Sequence, residues 1–450
     1  MDKTIQEEIA EFIVQLNFDN IKEPFVKDIK YRIMDWFGCA VTGIQYPQSK
    51  IVRNFFLQMG GKEEASVFGT NIKMPAPNAA FVNGIIGHVS ELDDGHRKAI
   101  GHPASITVPV ALALTEKQNT SGKDFLKAIL VGYEVFIRLG ATVNPPQYKY
   151  WHTTSTCGIF AATAVAAVIL KLTITEIVDA LGIASTMASG LVDSFGSYAK
   201  SLNIGHACQS GIIAASLSKA GFTGSPTGMD GKKGIITATC PSPNWDMLKF
   251  SADNLVTNTA FYKVYASCGH TNSPLDIIFE LLNQDNIMFE NVDNVLVETY
   301  KVSVDITKDF KNTNENEAKF SLPYCIAVAL KYKQVTLHEF TEQVLNDPDI
   351  VQLGKKIKVI ESQQATQQFP RRGAKVTVIL KNGKVISKEV EDAHDVANYE
   401  KLENKFYGLV GKHNYVSAKK MLDGLKSLEC QSGTSVLVDF LQVCRCQVKL

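Results

Sequence analysis

The chain is predicted to be mainly α, with a large all-helical domain and a smaller α+β domain. Three observations lead there. Apolar residues recur at helical spacing through the first half; strand-like segments and an Asn-Gly turn are confined to the second; and 450 residues exceed one ordinary hydrophobic core.

The helical pattern opens with Ile9-Phe12-Ile13-Leu16 and continues with Ile29-Ile33-Met34-Phe37. Further helices are expected over Lys50–Met59, Ala76–Ser90, Ser105–Gln118, Gly122–Val143, Thr154–Leu170, Thr175–Ser194 and His206–Ala220. Thr120-Ser121-Gly122 and Thr173-Ile174-Thr175-Glu176 carry helix start signals. Small residues crowd Cys157–Ala167, a face that lets helices approach closely. Strands are then expected over Asn294–Thr299 and Lys356–Ile360. Ala374–Leu380 and Val385–Val390 flank Lys381-Asn382-Gly383-Lys384 and form a hairpin. Helices near Pro274–Leu282 and Ser321–Lys331 lie between the strands, and the tail Tyr399–Leu441 is helical again. The domains are therefore 1–264 and 265–398, with 399–450 packing back on the first.

Apolar residues make up 45% and charged residues 20%, close to a globular average, which removes disordered and fibrous classes. Lys+Arg and Asp+Glu are both 46, so no charge excess calls for nucleic acid or a membrane surface as partner, and self-association is tolerated. The polar start Met1–Glu8 lacks the pattern of a signal peptide. The longest apolar run, Phe160–Leu170, is read as too short to cross a bilayer. Nine cysteines show no CxxC, and only Cys444-Arg445-Cys446 lie close together. Reduced thiols and a cytoplasmic location are expected.

The chemistry concentrates in Gly87–Arg97 and Gly101–Ser105. Here Glu91, Asp93, Asp94, His88, His96, His102 and Arg97 stand between apolar helical runs at Asn78–Ile86 and Ile106–Leu114. An unpaired ion beside a buried face costs several kcal/mol, so such a knot calls for proton transfer or ligand binding. If Ala79–Ser90 is helical, His88 and Glu91 share a face at i, i+3. A metal set of His88, Glu91, Asp93 and His96 is an alternative, although the spacing fits no standard motif. A solvated loop with capping acids would explain one Asp but not this many ionisable groups.

Three weaker signals follow. His152 precedes a small-residue helix that Thr153 or Thr154 can cap, which suits either an anion site or a plain capping turn. Lys200 precedes a helix starting near Gly205, which suits carboxylate binding or an ordinary surface lysine. Lys263–Thr271 falls at the domain junction, where Cys268 with His270 suggests a thiol nucleophile and a structural linker is the simpler reading. Basic or imidazole groups thus recur at helix starts, with no phosphate loop, dinucleotide fingerprint or thiolate cluster. That describes a pocket for a small di- or tricarboxylate.

The order of these segments resembles the MmgE/PrpD family, which includes 2-methylcitrate dehydratase, cis-aconitate decarboxylase and iminodisuccinate epimerase. The residues carrying the resemblance are His88–Asp94 with His102-Pro103, His152 before a Thr/Gly/Ala helix, Lys200–Gly205, Lys263–His270 and Ala318–Tyr324. It extends from about residue 5 to about 440. It implies a homodimer, an α+β lid, a pocket between the domains, and no metal or organic cofactor. It also implies a site lined by Glu91 or Asp93, His102, His152, Lys200 and Lys263, with Tyr324 as a further contact. Departures fall in the knot. Family lyases typically carry Asp-Asp/Asn-Thr-Trp where this chain has Asp93-Asp94-Gly95-His96-Arg97. The usual first acid is Asp where Glu91 stands, Ala104-Ser105 replaces Ser-Asp, and Cys268 stands where some decarboxylases carry histidine.

The expected function is a cofactor-independent lyase, a dehydratase or decarboxylase, making a carbanion or enolate beside a carboxylate. Lys200 and Lys263 would clamp carboxylates, Arg97 a further one; His102 and His152 would exchange the proton; and Asp93 would orient an imidazole. An epimerase using the same residues and a metal-dependent hydrolase using His88, Glu91, Asp93 and His96 are the alternatives.

Overall fold

The computed structural model describes residues 3–284, 287–393, 399–411 and 414–443. Cys444 and Cys446 lie outside them. The fold is mainly helical, with strands a minor part. It divides into two compact units, Met1–Phe261 with Ala397–Leu450, and Tyr262–Val396.

The first unit is built on α1 (Ile5–Gln15), α2 (Glu23–Gly43), α3 (Pro47–Met59), α4 (Ala76–His88), α5 (Ala104–Gln118), α6 (Gly122–Val143), α7 (Thr153–Thr156), α8 (Gly158–Leu170), α9 (Ile174–Met187) and α10 (Ala199–Lys219). A small ribbon of β1 (Ala65–Ser66) and β2 (Lys73–Met74) joins α3 to α4. Caps set several starts. Thr4 and Thr173 form capping boxes with Glu7 and Glu176, and the Ser121 hydroxyl accepts from the Asp124 amide.

The core helices α4, α5, α6, α8 and α10 pack on one another. Small residues permit this closeness: a Cβ on Gly205 of α10 would lie 2.8 Å from the Phe81 carbonyl oxygen of α4. Pro109 inside α5 removes the amide that would bond the Ser105 carbonyl. The buried thiol of Cys208 on α10 donates to that carbonyl instead, at 3.5 Å. The helix Tyr399–Val410, the first of the C-terminal segment, packs on α2, where Tyr31 and Tyr399 stack at 4.1 Å and the Tyr31 hydroxyl donates to Glu403.

Four sequence expectations need correction. The stretch Thr153–Leu170 is long and apolar enough to cross a membrane by length and composition alone, with 18 residues and mean hydropathy 1.8. It is wholly buried, as a core helix packed by α5, α6 and α10. The expected Thr175–Ser194 helix stops at Met187, and the chain bends through Gly190 at a φ of 120°, a conformation suited to glycine. The helix expected to start near Gly205 begins at Ala199, so Lys200 lies inside its first turn. Neither Thr153 nor Thr154 caps a helix: His152 is the N-cap without a side-chain bond, and the Thr153 hydroxyl is engaged with Asn144.

The second unit holds a four-stranded sheet in the order β4 (Ile357–Glu361), β3 (Val292–Thr299), β5 (Ala374–Leu380), β6 (Val385–Val390). β3 runs parallel to β4 and antiparallel to β5; β5 and β6 are the expected hairpin, turning at Gly383 with φ 84°. Helix Asn272–Gln284 packs on β5 and β6, and Leu322–Tyr332 on β4.

Candidate active site

The charged knot begins where α4 ends. His88 is the last residue of that helix, and the next turn closes with the Glu91 amide donating to the His88 carbonyl at 2.9 Å. Glu91 adopts the left-handed region, φ 60°, a strained choice for a non-glycine residue. His88 and Glu91 therefore do not share a helix face, as the sequence reading supposed. The reversed turn brings the Glu91 carboxylate back to 3.6 Å from His88 Nε2.

Lys200 joins them from α10. Its buried ammonium donates to His88 Nε2 at 2.8 Å and to Glu91 Oε1. On the other side of the ring, His88 Nδ1 lies 2.8 Å from Asp93 Oδ2, which also accepts from the Ser105 hydroxyl at 2.7 Å. Because an ammonium can only donate, His88 Nε2 accepts and Nδ1 carries the proton toward Asp93. A continuous chain thus runs Ser105–Asp93–His88–Lys200–Glu91. Asp93 does orient an imidazole, but that of His88; its distance to His102 Nδ1 is 3.6 Å.

His102 is oriented by backbone. Its Nδ1 donates to the Asp94 carbonyl at 2.6 Å, which leaves the ring's lone pair on Nε2. The Asp94 side chain faces away into a buried network. It accepts from Arg32 Nη1 at 2.9 Å, the Tyr133 hydroxyl at 2.7 Å and the Ala104 amide at 3.1 Å. Arg32 is anchored in turn by Asp28 at 2.6 Å and by the Ala260 carbonyl at 2.9 Å. Burial pushes the Asp94 carboxyl up to about 6, against the pull of Arg32 and Tyr133. From the helix Tyr399–Val410, Lys405 pairs with buried Asp35 at 2.7 Å and donates to the Leu92 carbonyl at 2.8 Å, pinning the loop from behind.

His152 completes the cluster. Its backbone amide bonds the Gly190 carbonyl at 3.0 Å, and its Nδ1 lies 3.2 Å from Asn203 Nδ2. Phe195 touches both sides: its ring centre is 5.0 Å from that of His152 and 5.4 Å from the Lys200 ammonium. Burial holds the His152 imidazole well below its ordinary range, helped by the nearby Lys200 ammonium, so it is neutral at physiological pH.

Of the expected site residues, Glu91, Asp93, His102, His152 and Lys200 come together in this cluster. Arg97 sits on the following turn, half-buried. Lys263 is buried near the start of the second unit. Tyr324 is a core residue of that unit: it is fully buried, and its hydroxyl donates to the Glu339 carbonyl at 2.6 Å, so its one proton is already committed.

The metal alternative is not assembled as expected. His96 Nδ1 accepts from the Ala99 amide at 3.0 Å and Nε2 donates to the Thr259 hydroxyl at 3.0 Å, so both nitrogens serve a structural turn. Among the described residues the group able to hold a metal is His88, Glu91 and His102, with ligand atoms within 4.8 Å of one another. Lys200 already bridges the first two, so an ammonium supplies the positive charge that a metal would bring.

Three contributors escaped the sequence reading of the site. His88 stood in the charged knot and in the metal alternative with no acid–base role of its own, Ser105 stood at the end of the knot, and Asn203 only within the Lys200–Gly205 segment. The i, i+5 separation of His88 and Asp93 was the one available signal.

Residues 7–248 match the MmgE/PrpD N-terminal domain and residues 265–426 the MmgE/PrpD C-terminal domain. A cis-aconitate decarboxylase of Aspergillus terreus is 26% identical, covering 99% of this chain and 96% of its own length. The cis-aconitate decarboxylases of Homo sapiens and Mus musculus are 25% and 24% identical over 98% and 90% of this chain, and over 95% and 86% of their own lengths. With both characteristic domains matched in order, the chain belongs to the MmgE/PrpD family.

Proposed function

We propose that this protein is a lyase of small di- or tricarboxylates, breaking a bond next to a carboxylate without a metal or organic cofactor. The observation that carries the reading is the fixed proton inventory of the two histidines. His102, with its proton on Nδ1, presents a basic Nε2. His152 accepts at Nδ1 from Asn203, so its Nε2 carries the proton. Among the described residues no hydrogen bond engages that Nε2–H.

Such a pair suits a reaction through an enolate-like state. When CO2 leaves from a C–CO2⁻ group or a proton is removed from C–H, the electron pair left on carbon moves toward a neighbouring carboxylate, whose oxygens gain charge; in a dehydration that pair then returns to form the C=C bond and expels the β-hydroxyl, which leaves as water on taking up a proton. A neutral imidazole N–H is an effective donor there, because its acidity is close to that of the enol it stabilises. In a dehydration His102 Nε2 takes up the carbon-bound proton; in a decarboxylation the carbanion is protonated by the imidazolium form of this ring, whose Nε2 proton is then replaced from water. Lys200, held by Glu91 and His88, supplies fixed positive charge for a substrate carboxylate. Lys263 is retained as a second clamp on the resemblance alone. The decarboxylases among the relatives favour loss of CO2 as the first reaction to test. The departures at Glu91 and at Gly95-His96-Arg97 argue for a substrate related to, rather than identical with, theirs. A homodimer is part of the same proposal and is tested by light scattering.

The test is proton NMR in D2O with citrate, 2-methylcitrate, cis-aconitate, malate and iminodisuccinate, in the presence of EDTA. Loss of CO2 or water from one compound supports the lyase. Deuterium incorporation without elimination means an epimerase, and activity that returns only with added metal sinks the reading. His102→Gln and His152→Gln are each expected to lower kcat by roughly 10²–10⁴-fold, with thermal stability retained. Wild-type rates in both variants would remove the histidines from the mechanism.

A further inference from the structure

We propose that Asn203 is a positioning residue that holds His152 in its Nε2–H tautomer and thereby makes this imidazole the donor side of the site. The inference deepens the reading above and rests on the role given there to His152.

The argument is an accounting of protons. The Ser194 hydroxyl has one proton, and it donates this to the Leu191 carbonyl at 2.7 Å. Its oxygen can then only accept from Asn203, 3.0 Å away, so the Asn203 side chain turns its NH2 and not its oxygen to this side. The second amide proton meets His152 Nδ1 at 3.2 Å. A nitrogen that accepts cannot carry a proton in the neutral ring, so the proton is on Nε2. The amide itself is anchored: the Asn203 backbone carbonyl accepts from the Ser155 hydroxyl at 3.0 Å. A single turn of α10 thus carries Lys200, which contributes charge, and Asn203, which fixes a tautomer. The chain Leu191–Ser194–Asn203–His152 is the counterpart of the Asp94 carbonyl that sets His102 the opposite way.

The experiment is 15N NMR of histidine-labelled full-length protein, with the His152 signals identified by their loss in His152→Gln. In the wild type, His152 is expected to show a pyridine-type Nδ1 and a pyrrole-type Nε2. In Asn203→Asp a carboxylate replaces the donor, so Nδ1 becomes protonated and its signal turns pyrrole-type. With cis-aconitate, or whichever of the five panel acids the wild type turns over, kcat should fall roughly 10²–10⁴-fold with KM little changed, and the pH profile of kcat should gain a transition. Asn203→Ala, which removes the amide without supplying an acceptor, should give a mixture of tautomers and an intermediate kcat; it also serves if the Asp variant does not fold.

A wild-type His152 protonated on Nδ1, or a spectrum unchanged in both Asn203 variants, overturns the proposal. An inverted tautomer with unchanged kcat also overturns it, since the tautomer would then be without consequence. A wild-type rate in His152→Gln, with the expected tautomer still present in the parent protein, would instead count against the lyase reading and not against the hydrogen-bond assignment.

Discussion

Replacing Arg32 with Met tests how the charged loop that follows α4 is held. The Arg32 side chain is 1% exposed and donates to both oxygens of Asp28, to Asp94 and to the Ala260 carbonyl. Methionine fills much of the same volume but leaves two buried carboxylates without their cation. Breaking a buried pair in this way costs about 3–5 kcal/mol. At about 2 °C per kcal/mol for a domain of this size, Tm should fall by roughly 6–10 °C.

The pH dependence makes this prediction specific. The Asp94 carboxyl titrates at about 6 in the folded protein and at 3.8 when unfolded, a difference worth about 3 kcal/mol. The folded state therefore binds more protons between these values. This group's favourable contribution is fully present below the unfolded value and is lost as pH rises through about 6. Arg32 pulls the carboxyl down, so without it the proton is held to still higher pH and the loss extends into the neutral range. The Tm deficit of Arg32→Met should thus be largest near about pH 8 and shrink toward about pH 5, where Asp94 is neutral in both proteins. Thermal unfolding followed by circular dichroism across that range gives the answer. A deficit under about 2 °C, or one that does not vary with pH, would refute the reasoning.

Two further substitutions probe the same loop from other sides. Lys405→Met strips the buried Asp35 of its cation and the Leu92 carbonyl of a donor. It should cost about 3 kcal/mol and weaken hydrogen-exchange protection over residues 89–95, while Asp35→Leu in the same background should recover part of the stability. Gly87→Ala places a Cβ 2.0 Å from Trp36 Nε1, with α2 and α4 too closely packed to give way. A loss of at least about 2 kcal/mol in urea unfolding is expected, and Trp36→Phe should relieve some of it.

Much of the architecture was legible in the chain. Helical periodicity located α4, α5, α6 and α8 to within a few residues, and the Asn-Gly turn located the β5–β6 hairpin, because both signals are local. The charged knot was legible as well, since ionisable groups between apolar helices stand out by composition alone. Local signals failed where the backbone departs from regular geometry. The Glu91 turn is left-handed without a glycine to announce it, and α9 stops before Gly190 although the apolar pattern continues. The first of these breaks shapes the site and the second lies beside it.

The tertiary structure alone decided which group each ionisable residue faces. Lys200 is 112 residues from His88 and 109 from Glu91, and no spacing rule predicts that one ammonium will bridge them. The sequence determined that acids, imidazoles and lysines were present near helix ends. The packing of α10 against α4 determined which is charged, which is neutral and which nitrogen holds its proton. Those properties arise from burial and from partners distant along the chain, and both exist only once the helices have come together.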